Sequence, residues 1–144
     1  MNSVKELAEK FDKAIEQHDI PAVLDAFSED CEIELLGILL KGKEGAKKWI
    51  EWLYSNVPDI KFEPVVIISE DNVFYEEFYA IATLPNGKII KSHQAETLIY
   101  EGDKLKILRI FFNPLDFAEM ARGGRFGKRI FSYLIKKSVS GLIN

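Results

Sequence analysis

Residues 73–113 read VFYEEFYAIATLPNGKIIKSHQAETLIYEGDKLKILRIFFN, three long runs of apolar and β-branched residues separated by two short turn sequences. The runs cover residues 73–84, 88–100 and 104–113, and each exceeds the five or six residues of an ordinary strand. Strands of this length twist strongly, so the sheet that they form should curl. The stretch therefore predicts a curved antiparallel meander that dominates the fold.

The first turn predicts which residues face each other. Asn86-Gly87 is typical of a two-residue type I′ turn, in which both central residues need positive φ. With that loop, Glu77 lies directly opposite Glu96. Opposed side chains are about 4.5–5.5 Å apart at Cβ, and like charges at that distance are unfavourable without compensation. We therefore interpret Glu77 and Glu96 as a candidate site.

The same register divides the hairpin into two faces. Glu77 and Glu96 share a mixed polar and aromatic face with Tyr79 and Gln94, which we expect to line a pocket. The opposite face carries His93 and is more apolar toward the turn, as a dimer interface would be. His93 is therefore predicted to be a surface or dimer contact and not a catalytic residue.

The second turn leaves two registers open. A two-residue loop at Gly102-Asp103 places Arg109 opposite Glu96, whereas a three-residue loop places Leu108 there and turns Arg109 away. The first register explains the charges better, because an arginine between two carboxylates offsets their repulsion. Without the arginine, one carboxylate in a dry pocket should have a raised pKa and stay protonated near neutrality.

The segments outside the meander predict an α+β fold with helices on one face of the sheet. Helical spacing of apolar residues and start signals predict three helices before the meander, over residues 3–17, from Asp19 onward, and over residues 44–56. Short strands are predicted over residues 31–36, 38–41 and 61–69. Pro64 in the last of these indicates an edge strand or a bulge. A short helix and a final helix over residues 125–140 follow the meander.

Length and composition exclude several classes of protein. A chain of 144 residues builds one main core. Cys31 is the single cysteine, and the two histidines lack ligand spacing, so we expect no disulfide, no metal and no cofactor. No apolar run approaches the roughly 20 residues of a membrane span, and the first residues lack the apolar centre of a signal peptide. A cytoplasmic location is expected.

Charge is distributed unevenly along the chain. Residues 1–121 hold all 23 acidic and 13 of the 19 basic residues, whereas residues 122–144 hold six basic residues and no acid. The acidic body should repel nucleic acid. We expect residues 122–144 to form a basic amphipathic helix that docks on the domain of residues 1–121 or on a partner subunit, with an anionic membrane surface as the alternative.

The order and spacing of four runs resemble the nuclear transport factor 2-like superfamily, which includes SnoaL-like polyketide cyclases and ketosteroid isomerases. These runs are AIEQHDIPAVLDAFSEDCEIELLG, KGKEGAKKWIEWL, LPNGK and YEGDKLKILRIFFNP. The resemblance covers about residues 4–120. It implies a cone in which three N-terminal helices pack on the concave face of a strongly curved mixed sheet, with an apolar pocket, dimerisation through the sheet and, here, a C-terminal helical extension. Members include enzymes and non-enzymatic binding modules.

The resemblance to the isomerases is partial. Glu96 matches the strand position of their second oxyanion-hole acid, which implies that Glu96 faces the cavity. Phe11 stands where they place an oxyanion-hole tyrosine, and their general base falls near Glu34 or Leu35. One match in three argues against steroid isomerisation. Epoxide hydrolases of the superfamily use two acids and an arginine, a logic similar to that of the candidate site.

The sequence thus predicts a cofactor-free acid/base enzyme of hydrolase or hydratase, isomerase or cyclase type, acting on a compact apolar molecule. The candidate residues are Glu96, Glu77 and Arg109 for catalysis, and Tyr79, Gln94, Trp49, Phe11 and Asn113 for substrate binding. Asn113 could equally shape the turn before Pro114. The alternative is a ligand- or protein-binding module with structural carboxylates, and a third hypothesis is a membrane-peripheral protein.

Overall fold

The computed structural model describes residues 2–120 and 124–142, and the chain divides into two compact units between Phe112 and Asn113. The first unit contains α1 (Val4–Glu16), α2 (Ile20–Ala26), β1 (Phe27–Leu35), β2 (Ile38–Lys41), α3 (Gly42–Asn56), β3 (Asp59–Glu70), β4 (Val73–Thr83), β5 (Ile89–Glu101) and β6 (Lys104–Phe111). The second unit contains a 3-10 helix (Pro114–Met120) and α4 (Gly124–Ser138).

The six strands form one curved mixed sheet in the order β2-β1-β6-β5-β4-β3. β1 and β6 run parallel, and all other neighbours run antiparallel. α1 packs against β3 and β4, whereas α2 and α3 pack against β1. The α+β fold class, with helices packed on a curved mixed sheet, is confirmed.

The first two helices begin where their capping residues predict. Ser3 Oγ accepts a hydrogen bond from the Glu6 N–H, and the Glu6 carboxylate accepts one from the Ser3 N–H at 2.7 Å, which is a capping box. Asp19 accepts a hydrogen bond from the Ala22 N–H at 3.1 Å, and Pro21 lies in the first turn of α2.

Two strands show how burial and proline set their limits. β1 begins at Phe27, four residues earlier than predicted, because Phe27 is fully buried and pairs with Leu105 of β6. β3 is an edge strand, and its pairing with β4 shifts by one residue between Pro64 and Val66. The predicted edge or bulge at Pro64 is therefore confirmed in both respects.

The turn between β4 and β5 differs from the predicted type I′ turn. The Gly87 N–H donates to the Leu84 carbonyl at 2.9 Å, and Gly87 is the residue of the loop with positive φ, at 83°. This is a three-residue loop, a type I turn followed by a left-handed glycine. The cause is Pro85, because its φ near −65° suits the second position of a type I turn.

The three-residue loop changes which carboxylates face each other. Glu76, and not Glu77, lies opposite Glu96, while Glu77 pairs with Ala95. Because side chains alternate along a strand, a shift of one residue exchanges the two faces of β4. The predicted pairing of Glu77 with Glu96 is wrong by one residue.

The second turn has the predicted two-residue loop at Gly102-Asp103, but a bulge shifts the pairing further along the strands. Beyond the bulge, Ile110 lies opposite Glu96. Both predicted alternatives, Arg109 and Leu108 opposite Glu96, are therefore wrong. A bulge of this kind leaves no clear signal in the sequence of the turn itself.

The second unit contains the two helices predicted after the meander, with α4 close to the expected residues 125–140. The predicted domain boundary between residues 121 and 122 lies outside the described residues. Docking of the basic tail stays a prediction. In the part of the chain that is described, no helix has the length and apolar character needed to cross a membrane.

Candidate active site

The inward face of β4 and β5 carries two buried acids. Burial alternates along both strands, so Glu76 follows Phe74 on the inward face and Glu96 precedes Leu98. Glu76 is 2% exposed and Glu96 is 7% exposed. Acidic side chains are almost never buried to this extent without a partner. The opposed pair is therefore the most unusual feature of the first unit.

A third acid reaches this pair from α1. One carboxylate oxygen of each of Asp12, Glu76 and Glu96 lies within 4.8 Å of the corresponding oxygens of the other two. We call these three residues the carboxyl triad. Asp12 was missed from the sequence, although it stands four residues after Ala8 and three before Ile15, both buried, so helical spacing alone places it beside the apolar face of α1.

The surroundings raise the pKa values of all three acids. Burial raises the pKa of Glu96 well above its usual range, and the charges of Asp12 and Glu76 raise it further. Burial likewise raises the pKa of Asp12 well above its usual range, followed by the charge of Glu76. Burial also raises the pKa of Glu76, but hydrogen bonds with Glu96 and Asp12 oppose this rise. Glu76 is therefore the acid of the triad whose rise in pKa is opposed by its neighbours.

Among the described residues, one oxygen of Glu76 lacks a hydrogen-bond donor. Its Oε2 atom is buried, and no N–H or hydroxyl of the described residues donates to it. An ionised carboxylate only accepts hydrogen bonds, so a buried one needs donors. The neighbouring groups that can serve are the carboxyls of Asp12 and Glu96, provided that they are protonated. With both neighbours protonated, the triad would hold a carboxylate base in contact with two carboxylic acids.

The raised pKa of Glu96 predicts how stability depends on pH. The folded protein keeps a proton that the unfolded chain releases near the ordinary value of 4.5. The stability linked to this proton is fully present below pH 4.5 and is lost as the pH rises from there through the raised pKa, by up to about 1.4 kcal/mol per pH unit. We expect Glu96→Gln to flatten this fall and to exceed the wild type in unfolding free energy above neutrality. Urea unfolding from pH 4 to pH 9 measures both curves, and parallel curves would contradict the prediction.

Glu77 and Tyr79 lie on the outer face of the sheet, away from Glu96. Glu77 Oε1 is 3.3 Å from His93 Nε2, and the Tyr79 ring stacks on the His93 ring with centroids 4.7 Å apart. Lys91 Nζ lies 4.4 Å from the centre of the Tyr79 ring. The prediction that Glu77 and Tyr79 share a face with Glu96 is wrong, because the turn shifts β4 by one residue. His93 faces away from Glu96, as predicted.

Arg109 also lies outside the triad. Its Nε donates to Glu34 Oε2 at 3.3 Å on the neighbouring strand β1, and both side chains are about half exposed. Its predicted place between two carboxylates is wrong, because the bulge turns it to the outer face. The general base of the isomerases would align with Glu34 or Leu35. Glu34 faces outward and Leu35 is buried but apolar, so neither residue supplies an inward carboxylate at this position.

The remaining predicted residues have structural contacts, and their binding roles stay predictions. Gln94 is on the inward face, where its Nε2 donates to Ser92 Oγ at 3.2 Å. Trp49 and Phe11 are buried and stack with ring centroids 6.2 Å apart. Asn113 Oδ1 accepts a hydrogen bond from the backbone N–H two residues on, so Asn113 shapes the turn after β6.

The spacing of the triad oxygens would also suit a hard divalent cation, which takes carboxylate ligands. The prediction of no metal rested on cysteine and histidine and did not consider a set of three carboxylates. A surface groove of about 640 Å³ lies elsewhere, between the start of α1 and the β3–β4 and β5–β6 turns, and none of the candidate residues lines it. The expected apolar pocket stays a prediction.

The outer face of the edge strand exposes apolar side chains. Val66 and Ile68 are 43% and 58% exposed and pair with the outward residues Glu77 and Tyr75. Such a surface is compatible with the expected homodimer through the sheet, which stays a prediction.

Comparison with known proteins relates this site to a family. Residues 8–106 match the family model of the SnoaL-like domain. A comparison with curated proteins finds no match. A putative polyketide cyclase from Pseudomonas putida has 17% identity and a TM-score of 0.75, covering 85% of this chain and 100% of its own. The same coverage and TM-score, at 14% identity, hold for a nuclear transport factor 2-like protein of unknown function from Burkholderia pseudomallei.

A third similar structure is the epoxide hydrolase/cyclase-like enzyme SalBIII, which has a role in pyran ring formation in the polyether salinomycin. It has 16% identity and a TM-score of 0.70 over 78% of this chain and 92% of its own. Identities this low show a shared fold and do not transfer an activity. Because the family model spans more than half of the chain, the chain belongs to the SnoaL-like domain family.

Proposed function

We propose that this protein is an acid/base enzyme that acts on a compact, neutral organic molecule at the carboxyl triad. The observation that supports this most directly is the buried Glu76 carboxylate, whose Oε2 has no N–H or hydroxyl donor among the described residues. We infer that its neighbours Asp12 and Glu96, whose pKa values are raised well above the usual range, carry protons at a pH where isolated carboxyls are ionised. A base beside an acid of raised pKa is the arrangement that general acid/base catalysis requires.

The triad suggests a division of roles. Glu76, whose rise in pKa is opposed by hydrogen bonds with Glu96 and Asp12, would act as the base, taking a proton from a carbon or from a water molecule. Glu96, the more strongly perturbed acid of the opposed pair, would donate its proton to a substrate oxygen. The triad then holds as many protons after the step as before it. Asp12 would hold its hydrogen bond to Glu76 and so keep the base oriented.

Charge restricts the substrate class. The nearby charges that act on the triad are negative and include Glu9 and Glu16 of α1. A carboxylate or phosphate placed there would be repelled, whereas a ketone, enone or epoxide would not. Hydration, isomerisation and cyclisation all use a proton added to oxygen and a proton removed elsewhere, and the family's fold is one that binds small molecules.

The alternative is a non-catalytic module of the same fold that binds a small ligand or a protein. The nearly complete burial of Glu76 and Glu96 favours this alternative, because buried carboxyls can serve structure alone. In that case the acids would contribute to stability and have no role in proton transfer to a ligand.

Infrared spectroscopy tests the protonation state without a substrate. At pH 7 we expect the C=O stretching band of protonated carboxylic acids in the wild type and a weaker band in Glu96→Gln, because Glu96 keeps its proton in the folded state and Asp12 remains as the second protonated acid. Glu77→Gln is the matched control, since Glu77 is paired with His93 on the outer face, and it should keep the band. Absence of the band in the wild type at pH 7 would contradict the proposal.

Adding Mg²⁺ or Ca²⁺ to the same samples extends this measurement. A cation bound by the triad would displace its protons and remove the band. An unchanged band indicates that these cations do not displace the protons of the three acids.

A further inference from the structure

Tyr100 carries a second buried polar atom without a partner. Within the described part of the chain, its hydroxyl and Glu76 Oε2 are the buried side-chain oxygens that lack a hydrogen bond. Tyr100 is 3% exposed and lies on the inward face of β5, four residues after Glu96. Buried tyrosine hydroxyls usually have a partner, and an unsatisfied one is costly. The hydroxyl therefore points to a partner supplied from outside the protein chain.

The surroundings of Tyr100 keep this hydroxyl a donor. Burial raises its pKa, and the charges of Asp12 and Glu96 raise it further. The hydroxyl is therefore neutral under all ordinary conditions and is close enough to two members of the triad to be influenced by their charges. A neutral phenol in this place offers one hydrogen bond.

The other donors of the triad are already engaged. In the proposed function, the protons of Asp12 and Glu96 serve the Glu76 carboxylate, to whose Oε2 no N–H or hydroxyl of the described residues donates. The Tyr100 hydroxyl is thus the donor that is left to hold a ligand while the triad keeps its protons. Its complement is a neutral acceptor oxygen, because a charged acceptor would face the charge of Glu76.

We propose that Tyr100 is the residue that anchors the ligand, by donating a hydrogen bond to the carbonyl or epoxide oxygen of a neutral molecule bound at the triad. The inference rests on the proposed function for the chemistry that follows, but the binding contact itself can be measured without turnover. It identifies Tyr100 as a specificity-determining residue that selects neutral oxygen acceptors over hydrocarbons and anions.

Tyr54 provides a matched control within the same protein. Its hydroxyl donates to the Ile15 carbonyl at 2.7 Å, so its hydrogen bond is already made. Burial raises the pKa of Tyr54 to about 12, so it too is a neutral donor. Both substitutions remove one phenolic hydroxyl. Tyr54→Phe removes a hydroxyl that already has a hydrogen-bond partner, whereas Tyr100→Phe removes one that has none within the described part of the chain.

The experiment measures binding of three probes by ligand-observed NMR to wild type, Tyr100→Phe and Tyr54→Phe. Acetophenone carries the carbonyl, ethylbenzene replaces it with a methylene, and benzoate carries a negative charge. We expect the wild type to prefer acetophenone to both other probes. Tyr100→Phe should lose about 2- to 10-fold in acetophenone affinity, the equivalent of one neutral hydrogen bond, and none for ethylbenzene. Tyr54→Phe should be less stable but keep the preference.

Several results would overturn the inference. The first is a wild type that binds no probe or shows no preference for acetophenone. The second is a Tyr100→Phe variant that keeps the preference, which would mean that the Tyr100 hydroxyl of the wild type binds only a buried water. The third is a Tyr100→Phe variant that loses equal affinity for acetophenone and for ethylbenzene. Failure of the proposed function has a different signature. The acid/base role fails if the protonated-carboxyl band is absent at pH 7, whereas the dependence of the acetophenone preference on Tyr100 would persist in that case.

Discussion

Replacing Glu96 with glutamine is expected to lower the turnover of a neutral substrate by about 10²–10⁴-fold, the usual contribution of a positioned general acid. Glutamine keeps the size and can still hydrogen bond to Glu76, but it cannot give a proton to a substrate oxygen. Activity is sought with a panel of neutral epoxides, enones and cyclic ketones. Hydration is followed by chromatography, and exchange of protons next to the carbonyl is followed by NMR in D₂O.

The neighbouring residues Glu76 and Glu77 provide the control for this prediction. They are adjacent in the chain but lie on opposite faces of β4, so Glu76→Gln should reduce turnover as Glu96→Gln does and Glu77→Gln should not. A Glu96→Gln variant that keeps wild-type turnover would contradict the acid/base role. A wild type without turnover on the panel, together with Glu96→Gln that is destabilised at every pH, would support the non-catalytic module.

Replacing Phe27 with alanine is expected to lower the free energy of unfolding by about 3–5 kcal/mol. Phe27 is fully buried, and its ring meets the rings of Phe11 at 5.4 Å and Trp49 at 6.0 Å, both edge to face. These contacts join β1 to α1 and α3, so the cavity left by alanine would loosen the helices against the sheet. Urea unfolding followed by tryptophan fluorescence measures the loss.

Phe111 provides a matched control for this substitution, because it is 59% exposed near the end of β6. Phe111→Ala should change the free energy of unfolding by only about 0.5 kcal/mol, as is usual for exposed positions. If Phe27→Ala cost no more than Phe111→Ala, the aromatic cluster would not be the link between helices and sheet that the structure indicates.

Local signals in the sequence were sufficient for the elements of the fold. Ser3 and Asp19 cap the first two helices at the predicted places, because capping depends on hydrogen bonds within four residues. Pro64 produced the predicted edge strand and bulge, since proline cannot donate a ladder hydrogen bond. The resemblance to the superfamily added that the sheet is mixed, which no local pattern reveals, whereas the order of the strands came from the structure.

The candidate site was predicted only in part, because it depends on strand register. The sequence predicts that Glu96 faces the pocket, but a loop of Asn86-Gly87 alone places Glu77 opposite it. Pro85 extends that loop by one residue and brings Glu76 inward. Asp12 had a helical-spacing signal that was overlooked, whereas the bulge that removes Arg109 has none.

By itself, the sequence determined that this chain forms a curved meander covered by three helices, with Glu96 as an acid on its inner face. These features follow from hydrophobic periodicity, caps and turns, which act over a few residues. The tertiary structure alone decided that Asp12, Glu76 and Glu96 meet and that Glu77, Tyr79 and Arg109 do not. The physical reason is that strand alternation turns one extra loop residue or bulge into an exchange of faces, and that a contact between a helix and a distant strand exists only after the chain has folded.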